Sequence, residues 1–327
     1  MKKPFVYITR SLPDEQVKQL SEIAIVEMWE KEEEPCPRNV LLEKAKQADA
    51  LLTMLSDQVD QELLNAAENL KVISNLAVGY DNIDLKYASS KDIIVCNTPD
   101  VLTDTTADLA FALLMAAARR VVEAADYIKE GKWKGWSPLQ LAGIDLHHKT
   151  IGIVGMGKIG SAVAKRAKGF DMKVLYHNRS RNEEAEQAVH AEYLDLEDLL
   201  AQSDFVVCLT PLTEQTKELF TYDRFKQMKR TAIFVNVSRG AVVIEGDLLR
   251  ALEEGMIAGA GLDVFVKEPI EADHPLLKLQ SVTALPHIGS ATGETRRKMM
   301  DLCCKNIALV LKGDKPYTQV QLKAGKR

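Results

Sequence analysis

The most informative stretch of this sequence is IGIVGMGKIGSAVAKRAKGF, residues 151–170. Gly155, Gly157 and Gly160 form the pattern G-x-G-x-x-G directly after an apolar, strand-like run and directly before an amphipathic, helix-like run. In this pattern the first glycine makes a tight turn, the second lets a pyrophosphate approach the main chain, and the third packs the helix against the strand. The stretch therefore predicts a strand, turn and helix that bind a dinucleotide at the helix N-terminus.

Apolar strand-like runs alternate with helix-like runs on both sides of this unit. Strands are predicted at residues 5–9, 25–28, 51–55, 72–77, 150–154, 173–176, 205–209, 232–237, 258–262 and 282–284, and helices at 13–22, 40–48, 61–67, 159–169, 196–202 and 245–254. The strand runs are rich in β-branched residues and too hydrophobic to be half exposed, which indicates parallel sheets covered by helices on both faces. We therefore predict an α/β protein of two doubly wound parallel-sheet domains, the second series beginning after a linker-like stretch at 131–143.

Composition excludes several classes of protein. The chain has 327 residues, about twice the ~150 typical of one domain, with 46% hydrophobic and 27% charged residues, which is typical of a globular protein. A formal net charge of −5 does not favour binding to nucleic acid. The five cysteines include no C-x-x-C pair, so neither a disulfide framework nor a structural zinc site is expected, and we predict no metal.

No segment has the pattern of a membrane span or a secretory signal. The longest apolar run, residues 109–118, is about half the ~20 residues that a spanning helix needs. The N-terminal residues 1–16 carry two lysines but only a short apolar run and no small-residue cleavage site. We therefore expect a cytoplasmic protein with no membrane partner.

The run KVLYHNRSR, residues 173–181, bears on the choice of cofactor. An NAD enzyme places Asp or Glu about 20 residues after the glycines, where the carboxylate binds the ribose 2′-hydroxyl. This chain has Asn178, Arg179, Ser180 and Arg181 instead, and these side chains can accept a 2′-phosphate through charge-assisted hydrogen bonds. The pattern favours NADP(H) over NAD, and a basic loop that only faces water is the alternative.

Polar residues recur where later strands of the same predicted sheet end. They are Ser238 and Arg239, then Asp263 and Glu268, and finally His287 and Ser290. Because ligands bind outside the carboxyl ends of parallel strands, these residues should converge. Each has a simpler interpretation alone, since Arg239 can be a surface cation, Glu268 a turn residue and His287 a packed loop histidine.

Together with a dinucleotide motif, three of these residues supply what reduction of a 2-keto acid requires. A protonated His287 can neutralise the charge that develops on the carbonyl oxygen. Glu268 can orient that imidazole, and the Arg239 guanidinium can bind the substrate carboxylate.

Six stretches in the same order resemble the D-isomer-specific 2-hydroxyacid dehydrogenase family over nearly the whole chain. They are LAVGYDNID (76–84), TADLAFALLMAAARR (106–120), GIVGMGKIG (152–160), NVSRGAVV (236–243), GLDVFVKEP (261–269) and LPHIGSAT (285–292). The resemblance is closest to the branch of glyoxylate/hydroxypyruvate reductases and 2-ketogluconate reductases. It implies that Arg239, Glu268 and His287 are catalytic and that the main-chain N–H groups of Val78 and Gly79 bind the substrate carboxylate.

The resemblance also implies the domain organisation and the set of cofactor contacts. A discontinuous substrate domain is expected at residues 1–100 and 292–327, a Rossmann-like NADP-binding domain at 101–291, a cleft between them, and a homodimer. The predicted cofactor contacts are Thr106, Gly155, Gly157, Lys158, Ile159, Gly160, Asn178, Arg179, Ser180, Arg181, Thr210, Pro211, Val237, Ser238, Asp263 and Ser290.

The expected function is NADPH-dependent reduction of glyoxylate, hydroxypyruvate or 2-keto-D-gluconate to the D-2-hydroxy acid. The segment WSPLQLAG has Gln140 where animal hydroxypyruvate reductases carry a tryptophan, which leaves space for a longer substrate. The alternatives are an NAD-linked enzyme of the D-lactate or phosphoglycerate type and a non-catalytic, nucleotide-sensing protein that resembles a co-repressor. A zinc-dependent alcohol dehydrogenase is disfavoured because clustered Cys and His ligands are absent from the sequence.

Overall fold

A computed structural model describes residues 3–322, which form two compact units. The first unit contains residues 3–102 and 291–322, and the second contains residues 103–290. Residues 1–2 and 323–327 of the predicted substrate domain lie outside the described residues. The linker-like composition of residues 131–143 suggested that this stretch separates the units. It does not, because two helices of the second unit precede it.

The first unit is a parallel sheet of five strands, and elements are numbered along the whole chain. Its elements are β1 (Phe5–Ile8), α1 (Asp14–Ile23), β2 (Ile25–Met28), α2 (Arg38–Ala45), β3 (Ala50–Thr53), α3 (Gln61–Ala66), β4 (Val72–Asn75), α4 (Leu85–Ser90), β5 (Ile94–Cys96) and α12 (Gly293–Lys312). The strand order is β2-β1-β3-β4-β5. Strands β3 and β4 are buried throughout because helices cover both faces of the sheet.

The expectation that no apolar run is half exposed is wrong for β2. This strand lies at the edge of the sheet, and its residues alternate between exposed and partly buried. Ile25 is 48% exposed. An edge strand has a neighbour on one side only, so a β-branched composition does not guarantee full burial.

The second unit is a parallel sheet of seven strands with helices on both faces. Its elements are α5 (Thr103–Ala118), α6 (Val121–Lys129), β6 (Thr150–Val154), α7 (Lys158–Lys168), β7 (Lys173–His177), α8 (Glu183–Val189), β8 (Glu192–Tyr193), α9 (Leu196–Gln202), β9 (Phe205–Cys208), α10 (Tyr222–Gln227), β10 (Ile233–Asn236), α11 (Glu245–Glu253), β11 (Gly259–Leu262) and β12 (Val282–Ala284). The strand order is β12-β11-β10-β9-β6-β7-β8. The predicted fold class is confirmed by the two parallel sheets.

Separate hydrophobic clusters cover the two faces of the second sheet. One contains α5 and α7, with Phe111 and Tyr176 among its buried side chains. The other is centred on Phe220, Phe225 and Phe234, and the ring centroids of Phe220 and Phe234 are 4.7 Å apart. These clusters hold the strands in place, so the loops at their carboxyl ends start from fixed positions.

All five cysteines lie among the described residues. Each cysteine is a buried free thiol. Among residues 3–322, no helix is both long enough and apolar enough to span a bilayer.

Candidate active site

The glycine turn lies where the strand order reverses, between β6 and β9. Gly155 has φ +108°, and its N–H donates to the carbonyl of His177 at 3.0 Å. A Cβ on Gly155 would lie 2.7 Å from the carbonyl carbon of Leu209, just beyond β9. The first glycine is therefore required both for the left-handed turn and for the close approach to the neighbouring strand end.

The other two glycines differ in what surrounds them. A Cβ on Gly160 would lie 2.4 Å from the Gly155 carbonyl oxygen, so this glycine packs α7 against the turn. A Cβ on Gly157, the residue that precedes α7, would meet no atom within 4 Å. Open space at the start of an eleven-residue helix fits the pyrophosphate of a dinucleotide, which the first N–H groups at Lys158 and Ile159 would face.

The residues after β7 divide between structural and solvent-facing positions. Asn178 is committed to the glycine turn, because its Oδ1 accepts from Met156 N at 2.7 Å and its Nδ2 donates to Met156 O at 3.3 Å. Arg179 and Ser180 are exposed, and Arg179 Nη1 donates to Gln215 Oε1 at 3.3 Å. The predicted role of Asn178 in binding a 2′-phosphate therefore competes with its observed role in shaping the turn.

Arg181 forms a bidentate ion pair within its own unit. Its Nε donates to Glu186 Oε1 at 2.9 Å and its Nη2 donates to Glu186 Oε2 at 2.5 Å. Nothing in the spacing of the run HNRSR indicates this pairing, since Glu186 lies on the next helix.

Arg239 follows β10 in a turn that Asn236 builds. Asn236 is 1% exposed, its Oδ1 accepts from Ser238 N at 3.0 Å and from Ser238 Oγ at 2.8 Å, and its Nδ2 donates to Arg239 O at 3.0 Å. Arg239 Nη1 donates to Ser238 O at 2.7 Å. Asn236 thus fixes the main chain from which the guanidinium extends, a role that sequence reasoning missed.

Gly240 allows the Arg239 turn to approach the loop that carries Glu268. A Cβ on Gly240 would lie 1.9 Å from the carbonyl carbon of Phe265. Any other residue would force these two segments apart, so the glycine after Arg239 is required for close approach. The sequence signal for this requirement was the position of Gly240 directly after Arg239 in NVSRGAVV.

Glu268 and His287 form the hydrogen-bonded pair that the sequence predicts. His287 Nδ1 and Glu268 Oε2 are 2.7 Å apart, and the other carboxylate oxygen, Oε1, accepts from Phe265 N at 2.9 Å. The His287 side chain is 23% exposed and that of Glu268 is 29% exposed, so the imidazole is bound at Nδ1 and its other edge is accessible. His287 has φ +53°, a left-handed conformation that is uncommon outside glycine and often accompanies functional positions.

Opposing effects act on the Glu268 carboxyl. Burial alone would raise the pKa of Glu268, but the hydrogen bond and positive charge of His287, the Phe265 N–H and the charge of Arg239 together lower it. Glu268 is therefore ionised when it faces His287 and accepts the proton on Nδ1, so that, when the ring carries a proton on both nitrogens, the Nε2 proton is available to the substrate.

Asp263 holds the loop that carries His287. Its Oδ1 accepts from Ile288 N and its Oδ2 from Gly289 N, both at 2.8 Å. Burial raises the pKa of Asp263 despite these two N–H donors, which lower it. A Cβ on Gly289 would lie 3.3 Å from Asp263 Oδ2 and 3.4 Å from Thr106 Cγ2. The predicted cofactor contacts Asp263 and Thr106 therefore both lie beside Gly289.

The remaining predicted cofactor contacts of the second unit lie on the same edge of its sheet. Thr210 and Pro211 follow β9, Val237 and Ser238 follow β10, and Ser290 lies in the loop after β12. Cys208 Sγ lies 3.4 Å from Ser238 Oγ and 3.7 Å from Thr210 Oγ1, which joins the ends of β9 and β10. The parallel strands thus bring these loops to one edge, as topology predicts.

Val78 and Gly79 lie in the first unit, where amide side chains fix their carbonyl groups. Asn97 Nδ2 donates to Val78 O at 2.8 Å, and Asn75 Nδ2 donates to Gly79 O at 3.0 Å. Val78 is 36% exposed. The role of their N–H groups in binding a carboxylate stays a prediction.

Residues 3–322 contain no group of three His, Cys, Asp or Glu side chains arranged to hold a metal ion.

Comparison with known proteins assigns the class. Residues 111–289 match the model of the D-isomer specific 2-hydroxyacid dehydrogenase, NAD binding domain. The chain is 51% identical over 318 residues to a glyoxylate reductase of Thermococcus litoralis, covering 96% of each chain.

Two solved structures are similar over nearly their whole length. A glyoxylate reductase from Paecilomyes thermophila is 32% identical with a TM-score of 0.87, covering 98% of this chain and 99% of that one. An NADPH-dependent glyoxylate/hydroxypyruvate reductase from Sinorhizobium meliloti, in complex with NADP and malonate, is 29% identical with a TM-score of 0.87, covering 98% and 97%.

The family match, together with the fold and the glycine turn, defines an oxidoreductase that uses a nicotinamide dinucleotide. The chain belongs to the D-isomer specific 2-hydroxyacid dehydrogenase family, which confirms the predicted resemblance.

Proposed function

We propose that this protein reduces small 2-keto acids, glyoxylate first among them, to the corresponding D-2-hydroxy acids with NADPH. The observation that carries the proposal is the 2.7 Å pair of His287 Nδ1 and Glu268 Oε2, in the same unit as the glycine turn and Arg239. Relatives named glyoxylate reductase, about half identical to this chain, support the choice of substrate.

His287 acts as the general acid in this proposal. When bound, a nicotinamide dinucleotide would supply the hydride. His287 gives a proton from Nε2 to the substrate oxygen, which neutralises the negative charge that develops there. Glu268 binds Nδ1, so the ring keeps one orientation while its other nitrogen gives up the proton. Asp263 keeps the loop in place by binding two main-chain N–H groups beyond His287.

Arg239 binds and orients the substrate carboxylate. A guanidinium can make two parallel hydrogen bonds to a carboxylate, which fixes the plane of the keto acid relative to the imidazole. We also retain the predicted N–H groups of Val78 and Gly79 as carboxylate ligands. Hydroxypyruvate and 2-keto-D-gluconate share the same carboxylate and keto group, so they are proposed as further substrates.

NADPH is proposed as the preferred cofactor because the loop after β7 carries cations and no carboxylate in its first four residues. Arg179 and Ser180 are exposed at the position where a 2′-phosphate would lie. The NADP bound by the Sinorhizobium meliloti relative supports this choice. NADH is proposed as a weaker alternative.

We further propose a cytoplasmic homodimer. Helix α6 has no buried residue, and apolar side chains on it and on the segment that follows are exposed, namely Val121, Val122, Ile128, Trp133, Trp136 and Leu139. Exposed apolar patches of this kind commonly form protein interfaces. Light scattering of the purified protein tests the dimer, and a monomer would contradict it.

Replacement of His287 by Ala tests the proposed function. The kcat for glyoxylate should fall by about 10²–10⁴-fold, the usual contribution of a general acid, while NADPH affinity stays within about twofold. His147→Ala, at an exposed turn, is the matched control and should keep its activity. Unchanged turnover by the His287 variant would contradict the proposal.

A panel of keto acids tests the choice of substrate and cofactor. The native protein is assayed with glyoxylate, hydroxypyruvate, 2-keto-D-gluconate and pyruvate, each with NADPH and NADH. The proposal requires the highest kcat/KM with glyoxylate and NADPH. Preference for pyruvate with NADH would support an enzyme of the D-lactate type instead.

A further inference from the structure

The Arg181 ion pair is more rigid than an ordinary surface pair. Glu186 also accepts a hydrogen bond on Oε1 from the hydroxyl of Tyr176 at 2.5 Å, and that hydroxyl accepts from Asn182 N at 2.8 Å. Tyr176 is fully buried in β7. The carboxylate is therefore anchored to the sheet, and only 17% of the Glu186 side chain is exposed compared with 62% of Arg181.

The charge state of this pair is fixed over the physiological range. The hydrogen bond from Arg181, followed by that from Tyr176, lowers the pKa of Glu186 to about 2. The same hydrogen bond raises the pKa of Arg181. One full negative charge thus stays within hydrogen-bond distance of one full positive charge.

The pair changes the electrostatic balance of the loop after β7. Of its two guanidinium groups, Arg181 is neutralised by Glu186, whereas Arg179 has only the neutral amide of Gln215 as its described side-chain partner. A 2′-phosphate carries a charge of about −1.5 to −2 and would be repelled by Glu186 as well as attracted by the two arginines. The net attraction therefore comes mainly from Arg179.

We propose that Glu186 is a specificity-determining residue that weakens the preference for NADPH over NADH by cancelling the charge of Arg181. The inference rests on the proposed placement of the 2′-phosphate at this loop. Arg179 and Ser180 recognise the phosphate, and Glu186 limits how much Arg181 adds to that recognition. The native protein accordingly uses both cofactors, with a moderate preference for NADPH.

The test measures binding of two nucleotide fragments by calorimetry, without any turnover. Adenosine 2′,5′-bisphosphate carries the 2′-phosphate, and 5′-AMP lacks it. E186Q removes the charge while its amide oxygen can still accept from the Tyr176 hydroxyl. It should bind the bisphosphate about three- to tenfold more tightly, the effect of one unit charge at partly screened distance. Affinity for 5′-AMP should stay within about twofold.

Two further variants assign the effect to the pair. In the double variant E186Q/R181Q the gain should disappear, because no released guanidinium is left. E192Q is the matched control, since Glu192 forms an exposed ion pair with Lys173 at 2.9 Å on the neighbouring strand and its loss removes the same charge. E192Q should change neither affinity.

Several outcomes would overturn the inference. Weaker binding of the bisphosphate to E186Q would mean that Glu186 orients Arg181 toward the phosphate. Unchanged binding would mean that the charge has no effect on recognition, and equal changes for both fragments would indicate a general structural change. None of these results affects the keto-acid assays or the His287 variant, so failure here is distinguishable from failure of the proposed function.

Discussion

The two sheets have the same parallel, doubly wound construction, but their first turns differ. In the second unit β6 is followed by the glycine turn, and a side chain at Gly157 would meet open space. In the first unit β1 leads to α1 through Thr9, Arg10 and Ser11, with Pro13 preceding the helix and no glycine between them. The same parallel construction therefore leaves the first turn open to an anion in the second unit, whereas in the first unit side chains occupy that turn.

Charged side chains fill the corresponding edge of the first sheet. Arg10 and Asp57 are 8% and 4% exposed, and Arg10 Nη1 lies 3.6 Å from Asp57 Oδ1. Asp57 Oδ2 accepts hydrogen bonds from Thr9 Oγ1 and, at 2.7 Å, from Met54 N. A parallel sheet thus offers a ligand-binding edge by construction, and the side chains decide whether that edge is open or occupied.

The largest expected effect follows from removing one partner of this buried pair. Asp57→Ala should lower the free energy of unfolding by about 3–5 kcal/mol, because the Arg10 guanidinium is left buried without a counter-charge. Urea unfolding measures the loss, and hydrogen exchange of the β1 and β6 amides shows whether it is confined to the first unit.

Glu43→Ala is the control for this prediction. Glu43 forms an exposed pair with Lys46 at 2.7 Å in the same unit, and its loss should cost less than about 1 kcal/mol. An equally small loss for Asp57→Ala would show that Arg10 and Asp57 do not close this edge energetically.

Filling the open edge of the second unit should abolish nucleotide binding and preserve the fold. Gly157→Val places a branched side chain where the pyrophosphate approaches, so the Kd for NADPH should rise by about 100-fold, or about 2.7 kcal/mol. Gly246→Ala, another position with open space around an added Cβ, is the control. Retained NADPH affinity, measured by fluorescence titration, would contradict the placement of the dinucleotide.

Substitution of Gly160 should instead lower the stability of the fold. Gly160→Ala brings a Cβ to 2.4 Å from the Gly155 carbonyl oxygen, so we expect a loss of about 1–3 kcal/mol in unfolding free energy from overpacking. The melting temperature of Gly160→Ala should therefore fall while that of Gly157→Val stays close to native. Equal melting temperatures would mean that α7 can move away from the turn without cost.

The smallest expected effect is a difference between the two units in how pH changes the stability that one buried carboxyl group contributes. Burial raises the pKa of Asp57, so the stability this group contributes is greatest below its unfolded pKa of about 3.9 and is lost as pH rises through the folded pKa. The pKa of Glu268 is lowered despite burial, so its contribution is present above its unfolded pKa and is lost as pH falls.

Urea unfolding at pH 4 and pH 7 checks these signs. As pH falls, the native protein should become more stable relative to Asp57→Asn, by about 1.4 kcal/mol of unfolding free energy for each unit of pKa shift. The difference between native protein and Glu268→Gln should move the other way. Changes of the same sign would contradict the contrast between the two carboxyls.

The sequence predicted the parts of the fold that depend on long apolar runs and on glycine. The central strands, the turn at Gly155 and the pairing of Glu268 with His287 follow from hydrophobic pattern, motif and topology. Strands β5 and β8 were not predicted, because they have only three and two residues and give little periodic signal.

The site residues that sequence reasoning missed act through contacts between distant segments. Gly240 matters because Phe265 lies against it, and Glu186 matters because its carboxylate reaches Arg181 and the buried Tyr176. Asn75 and Asn97 look like ordinary strand-end amides until they are seen to donate to Gly79 and Val78. Local pattern carries no record of such partners, so they are found only in the folded chain.

The discontinuity of the first unit bears on how the chain folds during synthesis. Helix α12 packs against α1, β3 and β4, yet it begins about 220–240 residues after those strands end. At about 5–20 residues per second the nascent strands wait about 10–50 s without the cover of this helix. The second unit is contiguous and needs no such delay, so the period of greatest exposure to chaperones and to aggregation belongs to the first hundred residues.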